Sequence, residues 1–163
     1  MPIPRRAATP SLLQIDAILM RLTGASALAE VLRFLRSEFP HFAWIGVYRV
    51  DGPLLRLAAW QGDAPTEHET IPVGRGVCGR AVREGRTVLV GDVSADPDYL
   101  ACFLETKAEL VVPIRSHDSI VGEIDVDGTT LHAFDATDAD LLERVATKIA
   151  AATVAASTTG PPP

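Results

Sequence analysis

The sequence predicts an α+β chain, an antiparallel sheet with helices from both ends of the chain packed on one face. Three observations predict it. Long stretches with apolar residues at spacings of three and four lie at the two ends. The β-branched and apolar runs between them are joined by short turns, Asp51-Gly52 and His117-Asp118, as hairpins require. The length, 163 residues, suits one domain with one core.

Taken in order, residues 1–10 carry three prolines and two arginines and read as a flexible arm. A single domain is expected over 11–155, followed by a disordered Pro-rich tail over 156–163. Leu12, Ile15, Leu19 and Leu22 form one helical stripe, broken at Thr23-Gly24. Ser26 is the expected N-cap of a second helix, with Leu28, Val31, Leu32, Leu35 and Phe39 on one face and Pro40 as its stop. Phe42 to Val50 and Leu54 to Trp60 read as strands around Asp51-Gly52, and Gln61 to Thr70 as a polar loop. Val77 to Glu84 reads as a short helix stopped by Gly85, and Thr87 to Val90 as a strand. Turn chemistry at Asp96-Pro97 precedes a possible helical turn around Cys102. Glu109 to Arg115 and Ile120 to Asp127 are two more strands. Asp135 then caps a last helix with Leu141, Leu142, Val145 and Ile149 inward.

Composition narrows the partners. Hydrophobic residues are 47% and charged residues 22%, the balance of a globular chain. Net charge is −6 and no basic cluster exceeds Arg5-Arg6, which argues against nucleic acid. No apolar run approaches the roughly 20 residues of a membrane span. No apolar segment follows the N-terminal arginines, so no export signal is read, and two cysteines then point to a reducing, cytoplasmic setting.

Gly74-x-Gly76-x-x-Gly79 spells a dinucleotide fingerprint, but only Ile71-Pro72-Val73 precedes it, where a solid strand is required. The plainer reading is a tight turn into a helix whose positive end lowers the pKa of Cys78. The two cysteines are too far apart in sequence for a CxxC motif. Cys102 reads equally well as a small buried hydrophobe or as a reactive thiol. His41, His68, His117 and His132 are scattered, with no ligand spacing, which argues against a metal. Asp125 and Asp127 alternate with apolar residues, so both face one side of a strand, either solvated or used. Pairing of the last two strands would bring Glu109 to them, and clustered acids keep one of their number protonated.

Gly74-Arg-Gly-Val-Cys-Gly79, Leu100-Ala-Cys102, Glu109-Leu-Val-Val-Pro113, Ile124-Asp-Val-Asp127 and Trp44-Ile-Gly-Val-Tyr48 resemble the free methionine-(R)-sulfoxide reductases, small stand-alone GAF domains. The resemblance implies a six-stranded antiparallel sheet with N- and C-terminal helices on one face and loops over a pocket on the other. It implies no bound cofactor, thioredoxin as external reductant, and a homodimer through the helices. It assigns Cys102 as the attacking thiol and Cys78 as the cysteine of the glycine loop. Glu109, Asp125 and Asp127 become pocket acids, with Trp44, Tyr48 and Val77 at the substrate, free methionine sulfoxide. Two departures stand out. The family's third, upstream cysteine falls at about His68 here, and its histidine before the attacking cysteine appears as Tyr99. Resolution then falls to Cys78 or to an external thiol. The competing reading is a non-catalytic GAF sensor that holds a small ligand in the same pocket.

Overall fold

The structure is a computed structural model that describes residues 5–101 and 103–156, with side chains from residue 8 onward. Cys102 and the segment 157–163 lie outside the described residues. The elements are α1 (Arg5–Arg21), α2 (Gly24–Glu38), β1 (Trp44–Asp51), β2 (Leu54–Gln61), β3 (Thr70–Pro72), α3 (Gly76–Glu84), β4 (Val88–Val90), β5 (Ala108–Ser116), β6 (Ser119–Gly128) and α4 (Ala136–Ala155). One sheet runs β3-β2-β1-β6-β5-β4, every neighbouring pair antiparallel. The sixth strand, β3, falls at the end of the expected loop, on an edge where Pro72 costs no ladder bond.

Strand periodicity divides the core in two. Ile45 and Val47, Ala108, Leu110, Val112 and Ile114, and Ile124 and Val126 face the terminal helices. The helices answer with Leu28 to Leu35 from α2 and Leu141, Leu142, Val145 and Ile149 from α4, as their spacing predicts. From α1 the buried residues are Ile15 and Ile18, whereas Leu12, Leu19 and Leu22 of the expected stripe are only partly buried. Burying each such side chain favours folding by about 1.5–3 kcal/mol. The alternate residues, Trp44 and Tyr48, Val111 and the β6 acids, face the other way. There α3, with Val77, Cys78 and Ala81, covers them.

Some boundaries differ from expectation. α1 starts at Arg5, so the arm is helical over most of its length. Pro10 sits inside that helix; its fixed φ is helical, and it forgoes one N–H bond. α2 begins two residues before Ser26, with Thr23 extended at the N-cap and no side-chain bond there. The cap of α4 is as expected: Asp135 accepts from the N–H groups of Thr137 and Asp138, and Asp138 accepts from that of Asp135. The hairpin turn at His117-Asp118 also forms, with His117 at φ 56°. A fully antiparallel sheet leaves no βαβ unit, which removes the dinucleotide reading of the glycine loop. Gly76 takes φ 71° at the helix start, and a Cβ on Gly79 would lie 2.4 Å from the Val73 carbonyl oxygen. The glycines serve a tight turn and a close approach.

Candidate active site

The register of the three central strands lays the polar residues in rows on the face under α3. Asp127 stands between Trp44 of β1 and Glu109 of β5. Asp125 stands between Gly46 and Val111, and Glu123 between Tyr48 and Pro113. All four acids are buried: Glu109 is 5% exposed, Glu123 0%, Asp125 1% and Asp127 4%. The alternative of a solvated sheet face is therefore overturned. α3 and the loops cover the acids on this face.

Glu123 is the member that the sequence reading missed. It obeys the same period-two rule as Asp125 and Asp127, so the signal was present. Neither of its carboxylate oxygens, nor Asp125 Oδ1, has a hydrogen-bond partner among the described residues. Burial, then the neighbouring Asp125 charge, pushes Glu123 up to about 8. Burial also raises Asp125, against hydrogen bonding from Glu109 and Cys78 that favours its charged form. Asp127 is driven well above the carboxylate range by burial and by Asp125.

Cys78 reverses an expectation. It sits in the first turn of α3, yet its thiol is raised well above its usual value. Burial is the main cause, followed by the charges of Asp125, Glu123 and Glu109. Loss of water and three nearby carboxylates outweigh the helix terminus, which is worth at most about 2 kcal/mol. The S–H points at Glu109 Oε1, 4.0 Å away. One oxygen or sulfur each from Cys78, Glu109 and Asp125 lie within 4.8 Å of one another.

Trp44 occupies a slot made by glycine. A Cβ on Gly46 would lie 2.4 Å from its ring, and one on Gly62 2.3 Å from it. Trp60 stacks on the indole at 6.4 Å and Phe103 tilts against it at 5.8 Å. The indole Nε1 is buried and has no acceptor among the described residues. In front of it lies a cavity of about 320 Å3 whose walls include Trp44, Ala64, Phe103, Thr106 and Asp127. This is the low end of the range for small-molecule sites, and it suits a free amino acid. Tyr48 lies on the same face, but fully buried, and its hydroxyl donates to the His68 carbonyl at 2.7 Å. Val77 is buried beside Cys78 and lines a much smaller cavity.

Cys102 itself lies outside the described residues, but its two chain neighbours are tied down. The ring Nε2 of His68 is 3.1 Å from the Ala101 carbonyl oxygen and donates to it. Phe103 packs on Trp44. Upstream, Arg80 of α3 binds both oxygens of Asp96, at 3.2 and 2.8 Å, and Asp98 at 2.9 Å. The Arg80 hydrogen bond lowers Asp96 below its ordinary value. The loop that leads to Cys102 is thus held by α3 on one side and by His68 on the other.

Comparison with known proteins agrees with this architecture. The profile of the GAF domain matches residues 23–153. GAF domain-containing protein A of Dictyostelium discoideum is 38% identical over 134 residues, 81% of this chain and 83% of that protein. A free methionine-R-sulfoxide reductase of Escherichia coli is 32% identical over 115 residues, covering 71% of this chain and 67% of that protein. Among solved structures, the free methionine-R-sulfoxide reductase from Neisseria meningitidis in complex with its substrate superposes with a TM-score of 0.85 at 37% identity. That match covers 94% of this chain and 92% of the other.

Proposed function

We propose that this chain, which belongs to the GAF-domain family and is related to the free methionine-R-sulfoxide reductases, reduces free L-methionine-(R)-sulfoxide to methionine with Cys102 as nucleophile. The observation that carries the reading is the pairing of two hydrogen-bond donors at one cavity. Trp44 has an indole N–H without an acceptor among the described residues, and Asp127 at the same cavity is pushed well above its usual value by burial and by Asp125, which favours its protonated form. A sulfoxide oxygen is a strong acceptor that needs a proton to leave, and this site offers both.

The chemistry runs in three steps. The Cys102 thiolate attacks the sulfoxide sulfur while Asp127 gives its proton to the oxygen. The protonated oxygen passes from the methionine sulfur to the Cys102 sulfur as the sulfur–sulfur bond formed in the attack breaks, so methionine departs as the thioether and Cys102 is left as a sulfenic acid. A second thiol then displaces water from that sulfenic acid and forms a disulfide. An external dithiol such as thioredoxin reduces the disulfide by exchange, becoming oxidised itself. The carboxyl oxygens of Glu109 and Asp125 are the proposed acceptors for the substrate ammonium. If Cys78 is the second thiol, it starts protonated, and Glu109, 4.0 Å from its sulfur, is placed to take the proton. An external thiol is the other route. Val77 and Tyr48, assigned to the substrate by the family resemblance, lie on the same sheet face but outside the lining of the Trp44 cavity. We also propose a homodimer through the helices in a cytoplasmic setting; α1 exposes Leu13 and Met20 on its outer side.

The test is consumption of the R epimer, and not the S epimer, with dithiothreitol or thioredoxin. Absence of turnover, or equal turnover by Cys102→Ser, sinks the proposal. The second reading, a ligand-sensing GAF module, is favoured by the protonated state of the buried Cys78. It predicts that methionine sulfoxide stabilises the chain against heat equally with and without Cys102, and without product.

A further inference from the structure

We propose that Cys78, Glu109 and Asp125, with Glu123 beside them, form a binding site for a thiophilic divalent cation, Zn2+. The scattered histidines argue against a metal, but the fold assembles a different ligand set from α3, β5 and β6. One ligand atom from each of Cys78, Glu109 and Asp125 lies within 4.8 Å of the others, all in buried residues. Tetrahedral zinc, with Zn–S at about 2.3 Å and Zn–O at about 2.0 Å, sets neighbouring ligand atoms roughly 3.5 Å apart. Cys78 Sγ and Glu109 Oε1, now 4.0 Å apart, need close by only a fraction of an ångström.

A second, independent observation points to a guest. Both Glu123 oxygens and Asp125 Oδ1 are fully buried without a hydrogen-bond partner among the described residues, although buried polar atoms are nearly always paired. Glu123 lies close enough for Cys78 to feel its charge, and it feels the charge of Asp125 in turn. A cation among them would supply the missing partner. Next to Cys78 and Glu109, and walled by Val77 and Leu100, lies a cavity of about 10 Å3. That is about the least that admits one water-sized guest, and far too small for an amino acid. It is distinct from the cavity at Trp44.

The donor set selects the ion. One sulfur with carboxylates in a dry site suits zinc, whereas magnesium and calcium require six or more oxygens or retained water. Uptake must release protons, because the thiol and the raised acids hold them near neutral pH. Metal uptake does not depend on the reductase reading. Where that reading holds, zinc would cap the Cys78 thiol and draw off the carboxylates, so it would slow turnover.

The experiment titrates Zn2+ alone into the full chain, kept reduced by a phosphine, against a chromophoric chelator. One equivalent is expected to bind, with heats that change with the buffer as protons are released. Co2+ is then added to Cys102→Ser, in which Cys78 is the sole thiol. A thiolate-to-cobalt charge-transfer band is expected there. A folded Glu123→Gln variant is expected to bind zinc at least about tenfold more weakly. The proposal is overturned if the wild-type chain takes up no stoichiometric zinc, if Co2+ gives no such band in Cys102→Ser, or if folded Glu123→Gln binds zinc as tightly as wild type. Epimer-specific turnover is measured separately, so the two proposals fail independently.

Discussion

Glu109 and Asp127 are direct cross-strand partners on β5 and β6, both nearly fully buried and both on the face under α3. Two carboxyl groups opposed in this way cannot both carry charge cheaply out of water. Asp127 also meets Trp44 on its other flank. Its raised pKa favours the protonated form, which makes it a proton donor at the wall of a cavity rather than a salt-bridge partner. We therefore expect Asp127→Asn to lower kcat for the R epimer by about a hundredfold or more, with a smaller change in KM. Steady-state rates for Asp127→Asn and the wild-type chain settle this; an unchanged kcat would remove Asp127 as proton donor.

The raised Glu123 makes stability depend on pH. Its folded value of about 8 stands above the ordinary glutamate value of 4.5, so the folded chain keeps this proton where the unfolded chain has lost it. The stabilising contribution is complete below about pH 4.5 and falls away as pH rises through 8. Each pKa unit corresponds to about 1.4 kcal/mol, so the loss amounts to a few kcal/mol. Thermal melts of Glu123→Gln from pH 5 to 8.5 are expected to fall less steeply than those of wild type. Parallel curves would show that Glu123 is ionised in the fold.

The slot for Trp44 is narrow. An added methyl at Gly46 would sit 2.4 Å from the indole, which Trp60 and Phe103 hold from other sides. Gly46→Ala is expected to cost about 1–3 kcal/mol by overpacking and to weaken ligand binding through the displaced ring. Chemical denaturation and ligand-induced shifts in melting temperature measure the two effects. A silent substitution would mean that the ring is free to move.

Arg80 joins α3 to the loop that leads to Cys102 through Asp96 and Asp98. Arg80→Ala removes a two-pronged ion pair that solvent partly reaches, so the stability cost is modest, about 1 kcal/mol. The local effect is larger: amide exchange over 96–101 is expected to accelerate while β5 and β6 stay protected. The same measurement on His68→Ala tests the bond to the Ala101 carbonyl. Protection that survives both changes would mean that the loop is held by packing alone.

Much of the fold is legible in residue order. Leu141, Leu142, Val145 and Ile149 are spaced for one helix face and are buried on it. Asp51-Gly52 and His117-Asp118 are turn chemistry and form turns. The short edge strand β3 was not legible, because three residues carry no period and Pro72 weakens the signal. The site was half legible. The shared face of Asp125 and Asp127 follows from alternation, and Glu109 from hairpin pairing, whereas Glu123 was passed over in the same alternating run.

Local order in this chain settles which residues become helix, strand and turn, and which side chains share a strand face. Those properties depend on spacing along a few residues. It does not settle the charge of the groups on that face. Asp127 and Glu123 are raised and the Cys78 thiol is raised rather than activated, because α3 folds back over the sheet and expels the water around them. Desolvation belongs to whatever the rest of the molecule lays over a residue, and distant segments supply that cover.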